Sequence, residues 1–275
     1  MTRIGRTAVF LLCGIVLAGA AGAAAGPSNR RSAVLPDLRP LPPEEVLGPA
    51  TRLMFTTAVD APLVVDGCFL DERIRKGAER CLRFDAIVGN VGAGAFELAY
   101  LVDKDRGMSA FQRVFNTDGS FADRYAIRSE FHPTHAHFHV RDFYLARLWR
   151  ADADGARLGE APVARGDKSG FCPQDSDSVE GNTSEQRHYT CIVDGPDGTR
   201  LQVVGISAGW KDVYPAELPD QFVEISGVPD GSYVLEIELD PNDVFVEADE
   251  TNNTVCTFIT LAGSEAGILS PEVAC

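Results

Sequence analysis

QFVEISGVPDGSYVLEIELD, residues 221–240, carries the alternation that decides the fold. Apolar and polar residues exchange at every second position on either side of a cluster of Gly, Pro and Asp. That is the pattern of strands around a turn, not the 3.6-residue period of a helix. The stretch predicts a hairpin, QFVEIS and YVLEIELD joined by GVPDGS. Working outward, LRFDAIVGN (82–90) reads as a strand ending in the turn GNVGAG before AFELAYLV (95–102), and TVCTFITL (254–261) as a closing strand. Neither a sustained helical period nor an internal repeat is found. The expectation is one mainly β domain over 51–275, a β-sandwich large enough to bury a core. Residues 150–220, rich in Gly, Asp, Ser and Pro, are expected as long, disulfide-tied loops, since loops of that length in a compact domain are usually functional.

The first residues, MTRIGRTAVFLLCGIVLAGAAGAAAG, have an arginine-bearing start, an apolar run and small residues after it, so 1–25 is expected to be a secretory signal peptide. The apolar run is short of the ~20 residues a membrane-spanning helix needs. The reading is a secreted or periplasmic protein without stable membrane insertion. Residues 26–50, proline-rich, are expected as an extended lead-in. Removing the two arginines of the signal leaves 23 basic against 40 acidic residues, so the formal charge moves from −15 to −17. Such a surface disfavours nucleic acid and draws cationic molecules. Six cysteines follow the signal, and an even number in an exported chain implies disulfides. The simplest pairing is sequential: Cys68 with Cys81, Cys172 with Cys191, Cys256 with Cys275.

Four of the five histidines fall in HPTHAHFHV, residues 132–140. In a strand, His135, His137 and His139 would line one face, roughly 6–7 Å apart, with Ala136, Phe138 and Val140 on the other. Three neutral imidazoles with no thiolate nearby suit copper(II), zinc, nickel or iron(II). His132 reads as a supporting group or simply loop, and His188 as structural.

At HPTHAHFHVRDFYLARLW the chain resembles the copper-dependent lysyl oxidase family, whose copper strand has the same histidine spacing. GDKSGFC (166–172) resembles that family's cofactor-lysine segment, and GISAGWKDVY (205–214) the segment ending in its cofactor tyrosine. PDGSYVLEIELDPNDVFVEADETNN (229–253), LPDL (35–38) and LRFDAIVGNVG (82–92) have counterparts in the same order, so the likeness spans about 35–275. It implies a catalytic domain of bacterial type, with copper on His135, His137 and His139. Lysine tyrosylquinone would form from Lys168 and Tyr214. Copper and dioxygen would oxidise the tyrosine ring, and a neutral lysine amine would add to it, which requires a Lys whose ammonium form is disfavoured.

The implied activity is that of a protein-lysine 6-oxidase or primary amine oxidase. A primary amine, free or a lysine side chain of a protein, would be converted with dioxygen to an aldehyde, hydrogen peroxide and ammonia. Asp212 is the candidate base, with copper-bound hydroxide as its rival. Trp210 and Lys211 stand where the family has Cys and Tyr, and Lys211 is the rival cofactor lysine. Lys168 is read as part of a Gly-rich loop able to approach a metal. Glu247, Asp249, Asn252 and Asn253 gather oxygen donors of the kind calcium takes, and the resemblance adds Asp37 and the Leu38 carbonyl to that calcium site. Two other classes compete: an exported copper-binding protein needing only the histidines, and a non-catalytic β-sandwich binding module needing neither.

Overall fold

In YLARLWRA, the strand Tyr144–Ala151, the alternation is realised in space: Tyr144, Ala146 and Leu148 are buried while Leu145, Arg147 and Trp149 are partly exposed. Its neighbour Gly231–Leu239 is buried almost continuously along its length. That strand is central, hydrogen-bonded along both edges to Tyr144–Ala151 and Thr254–Ala262. The computed structural model describes residues 31–49, 64–65, 67–69, 80–103, 107–132, 137–140, 143–168, 172–188, 201–218 and 221–275. From Ser32 to Cys275 they belong to one unit. The described residues contain strands and turns but no helix.

All strand pairs are antiparallel. One six-stranded sheet is built around Tyr144–Ala151, Gly231–Leu239, Thr254–Ala262 and Glu265–Ser270, with Ala164–Lys168 paired to Tyr144–Ala151. A second runs from His137–Val140 through Phe121–His132, Gly107–Asn116 and Phe96–Asp103 to Leu201–Ile206. A four-stranded sheet joins Asp177–Ser178, Trp210–Tyr214, Ala86–Asn90 and Leu38–Leu41. A smaller one joins Phe222–Glu224, Cys81–Phe84 and Val46–Leu47. The inner faces share one core, in which Leu38, Phe84, Val88, Phe96, Leu98, Tyr144, Leu235, Ile237 and Ile259 belong to a single apolar cluster. The fold is mainly β, as the alternation implies.

Three local expectations are corrected. The hairpin read at 221–240 does not form: Phe222–Glu224 pairs with Cys81–Phe84, while Gly231–Leu239 pairs with strands on either side of it. The turn is real, but it carries the chain between sheets, because a three-residue strand can satisfy its ladder elsewhere. LRFDAIVGN is interrupted at Asp85, whose carboxylate accepts the Glu45 and Ala216 N–H groups, so its two halves enter different sheets. The middle of the chain is not all loop, since Ala164–Lys168, Leu201–Ile206 and Trp210–Tyr214 are strands. Their apolar residues, among them Val204 and Ile206 of the core, are interrupted by Gly and charged residues, which hides the strands from a reading by period.

The lead-in enters the sheets through Leu38–Leu41 and Val46–Leu47. Disulfides join Cys68 to Cys81 and Cys256 to Cys275 in the sequential pattern. Cys172 is also disulfide-bonded; Cys191, its expected partner, lies outside the described residues.

Beside the first disulfide is a wholly buried cation. Arg83 donates from Nε to the Ala216 carbonyl at 2.7 Å and from its terminal nitrogens to the carbonyls of Gly67 and Leu218. It thereby fixes the turn that follows Trp210–Tyr214. Arg83→Met keeps most of the stem packing but leaves these carbonyls without their donor. Its unfolding in urea is expected to show a loss of about 2–4 kcal/mol, in line with the cost of buried unsatisfied acceptors.

Candidate active site

The strand His137–Val140 pairs along Phe121–His132, with His137 opposite His132 and His139 opposite Glu130. The described strand thus starts at His137, two residues later than the histidine spacing predicts. His135 lies outside the described residues. His132 is not loop but the last residue of the neighbouring strand. The donor chemistry of this segment, imidazoles at alternating positions, fits copper(II).

Lys168 is the last residue of the strand Ala164–Lys168, and its backbone pairs with Tyr144. The Gly-rich loop read at this point is corrected: Gly166 lies within the strand because a Cβ there would overlap the Phe222 carbonyl oxygen and Val223. The glycine serves the approach of a neighbouring strand. Four residues further on, Cys172 meets Tyr214. The Tyr214 hydroxyl accepts from the Cys172 N–H and donates to its carbonyl, both at 3.0 Å. Four residues of extended chain reach at most about 14 Å, so Lys168 is tethered close to the tyrosine with which the resemblance pairs it. The apolar surroundings of the Tyr214 hydroxyl push its pKa well above the ordinary value, and the Asp212 carboxylate adds to the shift. The phenol is neutral until something binds it.

Asp212 is fully buried and takes hydrogen bonds from the Gln174 N–H at 3.2 Å and the Ser176 hydroxyl at 2.8 Å. In this structure it anchors the strap 172–188 across Trp210–Tyr214. A second buried carboxylate, Asp175, accepts from the N–H groups of Arg187, His188 and Ser207 and from the Ser207 hydroxyl, at 2.7–3.0 Å. His188, read as structural, closes this cluster: its Nδ1 lies 3.1 Å from Ser207 Oγ and its Nε2 3.1 Å from Glu97 Oε1. Ser207 directs its one hydroxyl hydrogen to Asp175, and the roles of the two His188 nitrogens follow the ring's tautomer. The arrangement resembles a Ser–His–acid triad in composition only, since the serine proton points to Asp175.

Lys211 is engaged elsewhere. Its ammonium lies 3.3 Å from Glu44 and 3.2 Å from Asp177. Burial works against the charge, but these two carboxylates prevail and raise its pKa. A lysine held as ammonium is a poor nucleophile, which removes the rival.

The oxygen-rich loop meets the lead-in as the sequence suggests. Glu247 is buried and accepts from the Leu38 N–H at 2.5 Å. Asn252 donates to Asp37 at 2.8 Å, and the Ala248 N–H reaches the Pro36 carbonyl at 2.8 Å. The side-chain oxygens of Asn252 and Asn253 are buried with no hydrogen-bond partner. The Glu247 carboxyl is pushed up to about 8, first by burial and then by Glu250 and Asp240. Orphaned amide oxygens beside a carboxyl unable to ionise freely fit a hard cation. Asp249, in contrast, is exposed and folds its carboxylate onto the N–H and hydroxyl of Thr251. Glu250, which the sequence reading passed over, accepts from the Glu247 N–H at 3.1 Å and faces Asn253. It sits among other acids of EADETNN, and nothing in the spacing shows which exposed acid bonds back to Glu247.

The lysyl oxidase family model matches residues 79–270. The chain is 32% identical over 126 residues to lysyl oxidase homolog 1 of Homo sapiens, covering 46% of this chain and 19% of that protein. It is 30% identical over 157 residues to protein-lysine 6-oxidase of Homo sapiens, covering 56% of this chain and 34% of that protein. The match to protein-lysine 6-oxidase of Sus scrofa is 29% over the same length, 56% of this chain and 57% of that protein. The chain therefore aligns with well under two thirds of these relatives. With the match running through the histidine strand, the Lys168 strand and the Tyr214 strand, the chain belongs to the lysyl oxidase family.

Proposed function

We propose that the chain is a copper- and quinone-dependent amine oxidase. It would deaminate primary amines, either small amines or peptidyl lysine, to aldehydes with release of hydrogen peroxide and ammonia. The observation that carries this reading is the tether between the cofactor candidates: the Tyr214 hydroxyl is bound by the Cys172 backbone, four residues from Lys168. His135, His137 and His139 would hold the copper, and Lys168 and Tyr214 would be joined as lysine tyrosylquinone. Copper with dioxygen supplies the oxidation of a phenol, and the finished cofactor supplies an electrophilic carbonyl.

The chain's own groups do the rest. Burial keeps the Tyr214 phenol protonated and its ring shielded beside the core. Asp212, the candidate base, is assigned instead to holding the strap that carries Cys172. The formal charge of −15 draws cationic amines toward the surface. Export through the signal at 1–25 belongs to the same reading, supported by disulfides that suit an oxidising compartment. A calcium ion between Asp37, the Leu38 carbonyl, Glu247, Asp249, Asn252 and Asn253 would tie the lead-in to the domain, with Glu250, which faces Asn253, as a further oxygen donor.

Protein made without copper and then given copper in air is expected to develop visible quinone absorbance, to bind phenylhydrazine, and to yield joined Lys168 and Tyr214 peptides by mass spectrometry. Lys168→Met would bind copper but form no crosslink, because a thioether cannot add as an amine does. Tyr214→Phe would lack the phenol that is oxidised, and both would release no peroxide with primary amines. Wild type holding copper without a crosslink after long aeration would turn the reading to copper binding alone.

The calcium reading has a signed pH dependence. Between its ordinary value near 4.5 and about 8, Glu247 keeps in the folded chain a proton that the unfolded chain has lost. Calcium-free protein therefore loses stability as pH rises through that window. Calcium at pH 7 should raise the melting temperature, and Glu247→Gln should flatten the calcium-free pH profile. Identical melting curves with calcium and with chelator would exclude the ion.

A further inference from the structure

Tyr144 is 1% exposed, and its hydroxyl is buried without a hydrogen-bond partner. Phenylalanine would fill the same space: the ring stacks on Phe84 at 6.5 Å between centroids, a contact that does not use the hydroxyl. A buried polar group left unpaired is a net loss to the fold, so its presence calls for a partner acquired later. Two placements say where that partner lies. The backbone of Tyr144 is paired directly with Lys168. Phe84, against the Tyr144 ring, leads through Asp85 into Ala86, and Ala86 is the cross-strand partner of Tyr214. Asp85 also accepts the N–H of Ala216, two residues beyond Tyr214. Tyr144 thus carries its orphaned hydroxyl on a residue paired by backbone with Lys168, and its ring packs on Phe84, two residues before the cross-strand partner of Tyr214.

We propose that the Tyr144 hydroxyl is the hydrogen-bond donor to an oxygen of the cofactor formed from Lys168 and Tyr214, a contact that exists only after maturation. This rests on the amine-oxidase reading given above. The proton needed for donation is secure, because burial and then the Asp85 carboxylate raise the phenol's pKa well above the ordinary value. A donor at a cofactor oxygen stabilises its anionic form, so it would lower the pH at which the chromophore titrates and sharpen its electrophilic character.

The test compares wild type with Tyr144→Phe before and after copper. Without copper, the variant is expected to melt at or above the wild-type temperature, since no bond is lost. After copper and air, both should show the Lys168–Tyr214 crosslink by mass spectrometry. The variant's visible maximum should be displaced, its spectrophotometric titration midpoint raised by about one pH unit, the shift typical of losing one hydrogen bond to a charged group, and its phenylhydrazine labelling slowed several-fold. Replacing Tyr144 with 3-fluorotyrosine, which keeps the hydroxyl and makes it a stronger donor, should move the midpoint the other way. A crosslinked variant with the wild-type maximum, midpoint and labelling rate would overturn the proposal while leaving the oxidase reading intact. Loss of folding in copper-free Tyr144→Phe would also overturn it, by showing that the hydroxyl already has its partner. Wild type with bound copper and no crosslink would sink the oxidase reading and this proposal with it.

Discussion

Between residues 172 and 188 the chain has almost nothing apolar to bury, so transfer of side chains out of water cannot hold it in place. Two buried carboxylates do that work. Asp212 takes the beginning of the strap through Gln174 and Ser176, and Asp175 takes its end through Arg187, His188 and Ser207. A buried carboxylate is stable only when its lone pairs are filled, so strap and carboxylates depend on each other. The bonds that seat Cys172 on Tyr214 follow from that constraint. The candidate site is assembled by polar satisfaction on a scaffold assembled by apolar alternation, two kinds of force with different tolerance for change.

That division explains what could be read from residues alone. The residue pattern of 233–240 and 254–261 identified strands correctly. It could not identify partners. Phe222–Glu224 and Gly231–Leu239 flank a good turn sequence yet belong to different sheets, since a turn fixes a reversal and not a ladder. Ala164–Lys168 and Trp210–Tyr214 were invisible for the opposite reason: they are edge or short strands whose neighbours, not their own composition, make them regular.

The site shows the same asymmetry. Ordered motifs singled out Tyr214, Lys168 and the histidine segment, and they also pointed to the contacts that Asp37 and Leu38 make with the loop at 247–253. Within that loop, Glu250 and Asp249, both exposed, could not be told apart, because which of them bonds back to Glu247 is decided by the course of the backbone and not by spacing. His188 was read as structural, but its partners could not be named, because Ser207 and Glu97 lie 19 and 91 residues from it in sequence. Tyr144 gave no signal either, since an orphaned hydroxyl exists only relative to a packed surrounding.

The position of His137–Val140 at the end of its sheet has a kinetic meaning. It is the terminal strand in that order and holds to the rest through its pairing with Phe121–His132. Strands at a margin open at a lower free energy than strands between two neighbours. Val140 joins the strand to the large apolar cluster, where that side chain is buried. A border strand of this kind can part and re-form more easily than one between two neighbours, with Val140 as its hold on the interior. Were the proposed copper held on this segment, its entry would be governed by that local opening and not by unfolding of the whole domain.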